Sequence, residues 1–370
     1  SQKVASTGEV TGECQFNHRD DRDSGHRIGD VLYLLEVQMI KLAVFGCAGI
    51  ATHQLNAIWP DNLFELVAGA DIRPEQLDIF KDKFDMQHGY EDYRTLLAEA
   101  DIDAIMVCTP TFLHADNVIE AARAGKQIFC QKPMAMNTDD CDRMIQTCED
   151  KGVGLQLGFV RRFDNDWGTV KRVIDSGRLG SPVLWQQISG GSPPGSPFFM
   201  DKDKGGGPMI DGMVHNYDFA CHCFGEAVEV KSMPMKIHHT STAWDTGTVL
   251  VSFEGGDQIM VCWTWGLPSG IRGRAGTEIL GPNGVLSFPG SYDPADVEGK
   301  YDPETQGAYL LTLADDKTEV ITFEKQNMFR EELAHFADWV TNETMPSVTG
   351  DHGRRATRIA ELALNGGGLF

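Results

Sequence analysis

From Met39 onward the chain alternates two hydrophobic rhythms. IKLAVFG is a continuous apolar run ending in glycine, the pattern of a strand covered on both faces. IATHQLNAIW follows with helical spacing. FELVAGAD predicts a second buried strand. RPEQLDIFKDKF predicts a helix entered through Pro74, whose fixed φ suits a first turn. YEDYRTLLAEA reads as a helix, IDAIMVCTP as a strand, and LHADNVIEAARAG as a helix closing on Gly125. KQIFCQKP is a strand, TDDCDRMIQTCEDKG a helix with Thr138 as a cap candidate, and VGLQLGFV a further strand. Repeated strand–helix units call for an α/β fold, a parallel sheet with helices on both faces.

Past residue 160 the rhythm changes. DWGTVKRVIDSG is helical and SPVLWQQISGG alternates like a strand. AVEVKSMPMKI, DTGTVLVSFEGG, QIMVCWTWGL, GTEILGPNGVLSF and EVITFE are strands separated by glycine-rich turns, which predicts a largely antiparallel sheet. NMFREELAHFADWV is an amphipathic helix through Phe329, Leu333 and Phe336. Three units are expected: an extension at 1–38, a first domain at 39–160 and a second at 161–370. The extension is polar and turn-rich, except that VLYLLEV could add a strand or helix to the body.

Length and composition agree with this division. The 370 residues can bury two ordinary cores, and 41% hydrophobic with 23% charged residues is ordinary for a globular chain. The net charge of -22 argues against nucleic acid and against anionic membrane as partners. No apolar run is long enough to span a bilayer. Nine cysteines lie scattered without a metal-like pair. Cys221, His222 and Cys223 are adjacent, but a helix would splay them around its axis, so no metal site is expected. Reduced thiols suit a reducing compartment, and a cytoplasmic location is the expectation.

Chemistry enters at VFGCAGIATH, which ends the first strand and opens a helix. That is the setting of a dinucleotide fingerprint. Gly46 supplies the tight turn, Ala48 stands where a second glycine is usual, and Ala51 is the small packing residue. Gly49 beside Ala48 could restore the missing freedom. The second strand ends at Asp71, placed to bond the adenine ribose and to repel an added phosphate. Asp71 could instead be a simple turn residue. NAD is therefore expected over NADP, although Arg73 could accept that phosphate.

Two further stretches carry chemistry. Lys132 ends a sheet strand on the side where ligands bind in such folds. In GGGPMIDGMVHNYDF, Asp211 and His215 stand four apart, so on a helix they would share a face. Such a pair can be a poised proton acceptor or a merely structural contact.

GCAGIA, CTPTFLH, AGKQIFCQKP, GFVRRFD and GGGPMIDGMVHNYDF together, in this order over roughly residues 39–362, resemble the Gfo/Idh/MocA family. The family includes glucose–fructose oxidoreductase and inositol dehydrogenases. The resemblance implies an N-terminal Rossmann domain and a C-terminal α+β domain with an open, largely antiparallel sheet. It implies a homodimer or homotetramer built through that sheet.

The family's catalytic Lys/Asp/His set falls on Lys132, Asp211 and His215. Its lysine motif is usually Glu-Lys-Pro; here Gln131 replaces the glutamate. Cofactor contacts fall on Gly46, Ala48, Gly49 and Ile50 of the first turn, and on Asp71 and Ile72 after the second strand. Others fall on Cys108, Thr109, Pro110 and His114, on Gln131 and Lys132, and on Arg161. His114 could also cap its own helix, and Arg161 could be a surface ion pair. Asp218, His222 and His238–His239 read as structural. Trp244, Trp263 and Trp265 read as core or interface aromatics that could also face a sugar.

The implied reaction is oxidation of a secondary alcohol of a sugar or cyclic polyol by a nicotinamide cofactor. His215 would take the hydroxyl proton, Asp211 would orient His215 and favour its protonated form, and Lys132 would stabilise developing negative charge. Two alternatives keep the fold. One is an enzyme that recycles bound NAD within each turnover, for glycoside cleavage or epimerisation; the other is a dinucleotide-binding sensor.

Overall fold

The structure is a computed structural model that describes residues 39–61, 63–238, 240–314 and 317–370. The expected extension at 1–38, with VLYLLEV, lies outside the described residues, as does His239.

Residues 39–370 form one compact unit with two sheets. The first contains β1 (Ile40–Phe45), β2 (Phe64–Ala70), β3 (His88–Tyr90), β4 (Ala104–Val107), β5 (Gln127–Gln131) and β6 (Leu155–Gly158). Their order is β3-β2-β1-β4-β5-β6, and every pairing is parallel. The connecting helices are α1 (Gly49–Ile58), α2 (Pro74–Phe84), α3 (Tyr93–Glu99), α4 (His114–Arg123) and α5 (Thr138–Lys151). The apolar run Leu42–Phe45 is almost wholly buried because both faces of the sheet are covered. The strand order reverses between β1 and β4, which opens a crevice at the carboxyl ends of the strands.

The second sheet holds β7 (Leu184–Gly190), β8 (Ala227–Met235), β9 (Thr246–Phe253), β10 (Gln258–Thr264), β11 (Gly276–Gly281), β12 (Gly284–Ser287), β13 (Gln306–Leu313), β14 (Lys317–Glu324) and β15 (Gly367–Leu369). Its order is β14-β13-β12-β11-β7-β10-β9-β8-β15. Only the β7–β10 pair among these is parallel. Both expected sheets are thus present. β13 and β15 extend the second beyond the strands read from the sequence.

Helices α6 (Asn165–Asp175), α7 (Val214–Phe224), α8 (Met328–Thr341) and α9 (Gly350–Leu364) complete the unit. α7 lies on the second sheet, with Phe219 meeting Trp185 at 6.1 Å between ring centres. α8 returns to the first sheet. Its Leu333, Phe336 and Trp339 share a core with Ile40, Leu42 and Phe129. Each such side chain contributes about 1.5–3 kcal/mol by leaving water. The α8 face is fixed in part by Gly154: a Cβ there would lie 2.6 Å from the Trp339 ring. Among the described residues, no helix is long and apolar enough to cross a membrane.

α5 is capped by Asn137, whose side chain accepts from the Asp140 amide, so the expected cap at Thr138 is displaced by one. Thr138 instead donates its hydroxyl to Glu361 of α9. That bond ties the first sheet's outer helix to the last helix of the chain.

Candidate active site

The turn after β1 is built for a close approach. Gly46 has φ +87°, and a Cβ on it would lie 2.7 Å from the Cys108 carbonyl oxygen. Only glycine tolerates both conditions. Ala48 is extended and leaves α1 without a side-chain cap, so the first amides of the helix stay open to an outside acceptor. An alanine adopts this conformation without strain, which explains the departure from glycine. Gly49 does not adopt a left-handed φ; what it supplies is room, since a Cβ there would meet nothing within 4 Å. Ala51 is fully buried against the sheet, while Ile50 and Ile72 present apolar surface outward. This geometry fits a pyrophosphate on the helix N-terminus, favoured by the helix dipole.

Asp71, at the end of β2, is buried and already engaged. Its Oδ1 accepts from the Arg73 amide and Nε, and its Oδ2 accepts from Arg73 Nη2, each at 3.0 Å. The guanidinium itself is half exposed. The bond from the Arg73 amide is that of an Asx turn, and the guanidinium adds a charge partner to the same carboxylate.

The next turn, Cys108–Pro110, follows β4. Cys108 is buried, and the Thr109 hydroxyl bonds the Asn117 side chain at 2.6 Å. His114 is 1% exposed. Its Nδ1 meets the Pro133 carbonyl at 2.8 Å, and its Nε2 meets the Thr109 carbonyl at 2.8 Å. The ring does not cap its helix. Burial pushes its pKa down, against the upward pull of the carbonyls and of Asp211. Gln131 is buried at the end of β5, next to Gly158.

Lys132 and Asp211 come together from the two halves of the chain. Lys132 Nζ donates to the Asp211 backbone carbonyl at 3.0 Å and to Oδ1 at 3.2 Å. Asp211 sits on a π-turn, Pro208–Gly212, closed by the Met213 amide on the Pro208 carbonyl at 2.7 Å. Gly207 enters that turn at φ +77°, and a Cβ there would be 2.3 Å from the Trp244 carbonyl oxygen. His215 lies in the first turn of α7.

The wider turn removes the one-face relationship that an unbroken α-helix would give Asp211 and His215. The expectation that Asp211 orients and protonates His215 is therefore corrected. The bonds of Asp211 run to Lys132, and His215 Nδ1 is buried without a hydrogen-bond partner. Burial first, then Lys132 and Arg161, hold the His215 pKa well below its ordinary value. That lowering favours the neutral imidazole over the charged one.

Arg161 is no surface ion pair. Its guanidinium lies 4.1 Å over the Trp167 ring, and Nη1 is buried without a partner. Burial lowers its pKa to about 10, against Asp218, Asp166 and Asp164. Arg162 beside it takes the structural task, donating to both Asp218 oxygens at 2.9 and 2.7 Å and contacting His222 Nδ1 at 3.1 Å. Trp265 and Trp263 back the turn that carries Asp211: a Cβ on Gly212 would lie 3.3 and 3.7 Å from their rings. Trp244 is partly exposed and carries Lys236 over its ring at 5.8 Å. Sequence reasoning passed over Trp167, since nothing in its spacing marks it as the platform for Arg161. Among the described residues the cysteines are free, and no cluster of His, Cys, Asp or Glu could hold a metal.

Residues 40–159 match the family model described as an oxidoreductase family with an NAD-binding Rossmann fold, and residues 167–287 match the GFO/IDH/MocA C-terminal domain. The chain belongs to the Gfo/Idh/MocA family. Within it, the uncharacterized oxidoreductase YrbE of Bacillus subtilis (strain 168) is 30% identical over 306 residues, 81% of this chain and 86% of that protein. The scyllo-inositol 2-dehydrogenase (NAD(+)) of the same organism is 29% identical over 323 residues, 82% and 88% of the two chains. The structure of KijD10, a 3-ketoreductase from Actinomadura kijaniata with NADP and TDP-benzene, superposes with a TM-score of 0.77 at 22% identity. It covers 89% of this chain and 98% of that one, and at that identity shows the fold alone. The protein is a Gfo/Idh/MocA oxidoreductase with an NAD-binding Rossmann fold.

Proposed function

We propose that this protein is a nicotinamide-dependent dehydrogenase that oxidises a secondary alcohol of a sugar or cyclic polyol, inositol-like compounds foremost. The observation that carries the reading is the Lys132–Asp211 pair beside a half-buried His215 whose pKa is held well below its ordinary value. Gly46, the open first turn of α1 and Asp71 would hold the dinucleotide. When bound, the nicotinamide supplies an acceptor for the carbon-bound hydrogen and its electron pair.

His215, uncharged, accepts the hydroxyl proton as the carbon–hydrogen bond breaks. Lys132 donates to the same oxygen and stabilises the negative charge that develops there. Asp211 aims the ammonium through its backbone carbonyl and its carboxylate. The buried setting strengthens each of these interactions. NAD is favoured because Asp71 is anionic, and Arg73 makes NADP tolerable.

The name of the B. subtilis inositol dehydrogenase supports both the polyol class and NAD. The second sheet leaves Ile188, Met233 and Met235 exposed, which supports a homodimer or homotetramer formed through that sheet. A boundary near residue 160 between cofactor and substrate domains, and a cytoplasmic location, complete the reading.

The test is reduced-nicotinamide absorbance with purified protein, NAD or NADP, and a panel of inositols, aldoses and sugar acids. A rise with one compound supports the proposal. A flat trace across the panel with tight NAD binding favours closed redox cycling or a sensor.

A further inference from the structure

The turn that carries Asp211 is bonded to a pair of aromatic rings that the proposed chemistry leaves unused. The Asp211 amide donates to the Gly207 carbonyl at 2.9 Å, and the Gly207 amide donates to the Phe199 carbonyl at 2.9 Å. Two backbone hydrogen bonds thus join Asp211 to Phe199. A Cβ on Gly205 would lie 2.6 Å from the Phe198 carbonyl oxygen and 2.6 Å from the Phe199 Cα. Only a glycine lets the short helix Pro197–Met200 close onto the turn in this way. On its far side the same segment is held by the Ala243 amide on the Met200 carbonyl at 3.0 Å.

Packing fixes the rings as well. Phe198 lies over the face of Phe199, with centres 4.0 Å apart, and Trp265 stands nearly perpendicular to Phe199 at 6.2 Å. Trp265 is buried, and it backs Gly212, next to Asp211. Phe198 and Phe199 are only half-buried. A single exposed aromatic residue is ordinary. Here two stacked rings are tied through the backbone to the residue that aims Lys132. A sugar ring presents a face of C–H groups between its hydroxyls, and an aromatic face receives such a surface. The ring that reacts must bring its hydroxyl to Lys132 and His215. Phe198 is joined to the lysine only through the Asp211 turn, so a ring resting on Phe198 is the one beyond it.

We propose that Phe198, backed by Phe199, is a carbohydrate subsite that receives the apolar face of the ring next to the reacting one. The substrate is then a glycoside of at least two rings, one of them the sugar or cyclic polyol that is oxidised. This rests on the dehydrogenase reading, and the tests separate the two. The first uses matched pairs: glucose with cellobiose, galactose with lactose, and myo-inositol with galactosyl-myo-inositol. In the pair that reacts, kcat/KM should be about three- to tenfold higher for the two-ring compound, the range of one aromatic contact.

Phe198→Ala should erase that ratio, lowering kcat/KM for the two-ring compound several times more than for its one-ring partner. Phe198→Trp, which keeps an aromatic face, should preserve the ratio. Equal kcat/KM within every reacting pair overturns the proposal, as does a ratio that survives Phe198→Ala. The second test needs no turnover. In saturation-transfer NMR on the NAD-loaded protein, the C–H protons of the second ring should receive saturation from the wild type and from Phe198→Trp, and less from Phe198→Ala. Absence of that transfer from all three two-ring compounds overturns the subsite. Its presence without oxidation of any compound supports the subsite and counts against the dehydrogenase reading alone.

Discussion

Lys132 donates twice to one residue, Asp211, through its backbone carbonyl at 3.0 Å and its carboxylate at 3.2 Å. The ammonium is thereby aimed by a turn 79 positions away in sequence. Lys132→Met should lower kcat by about two to four orders of magnitude, the usual span for a lost proton-handling or charge-stabilising group. Asp211→Asn retains the backbone bond, so its loss should be smaller. Steady-state kinetics on both variants decide this. Equal and wild-type-like turnover would remove the pair from the mechanism.

As the proposed base, His215 should set the acid side of the pH profile. Its pKa lies well below 6.5, through burial and then the two nearby cations. A base must be unprotonated, so kcat/KM should stay level through neutral pH and fall only well into acid. Lys132→Met removes one of those cations, so the acid limb of its residual activity should move upward. His215→Ala should lose about two to four orders in kcat while binding NAD nearly as before. An acid limb unmoved by Lys132→Met would separate the two groups.

His222 and His352 have pKa values lowered to about 4, chiefly by burial. The unfolded chain protonates such groups near pH 6.5 and the folded one does not. Their contribution to stability is therefore complete above about pH 6.5 and is lost as pH falls toward 4. Melting temperatures should drop over that interval. His352→Gln, which cannot charge, should flatten the drop.

If Asp71 lies at the adenine ribose as proposed, Arg73 should limit how far it can choose between cofactors. With the guanidinium bound to both carboxylate oxygens, the site repels a 2′-phosphate weakly. Arg73→Ala should shift the ratio of kcat/KM for NAD over NADP by about tenfold or more toward NAD, as expected for one charge-assisted contact. An unchanged ratio would place Arg73 outside the choice.

Glu332 is fully buried on α8, with Oε2 accepting from Gln54 at 3.1 Å and Oε1 without a partner. Burial raises its pKa well above 4.5. The folded state keeps the proton that the unfolded state releases, so stability falls as pH rises from about 4.5 toward the folded pKa. The slope is about 1.4 kcal/mol per pH unit over that interval. Glu332→Gln should melt near the wild-type temperature at acid pH and above it at neutral pH. Equal melting at both would show that the carboxyl is ionised in the fold.

Much of this architecture is visible as pattern. The runs IKLAVFG and IDAIMVCTP are apolar throughout because both faces of a parallel sheet are covered. Gly46 is recognisable because its conformation admits no other residue. α9 was silent for the opposite reason: it buries Gly350, Gly353, Ala356 and Ala360, whose small side chains leave a faint apolar stripe. β13 is faint in the sequence because its run follows a long irregular loop and Gly307 breaks the apolar pattern at its start. The Asp211–His215 spacing misled, since a π-turn cannot be told from an α-turn by residue type. His114 carried no signal for its contact with Pro133, because that partner is a backbone oxygen on a distant turn.

Helix α8 has one more consequence. The first sheet is complete in sequence by Gly158, yet one of its faces is covered by Leu333, Phe336 and Trp339. A ribosome that has delivered the parallel strands holds them with an apolar side uncovered until α8 emerges. The newborn chain must keep that surface from meeting another copy, and its folding as a unit waits on its own distal end.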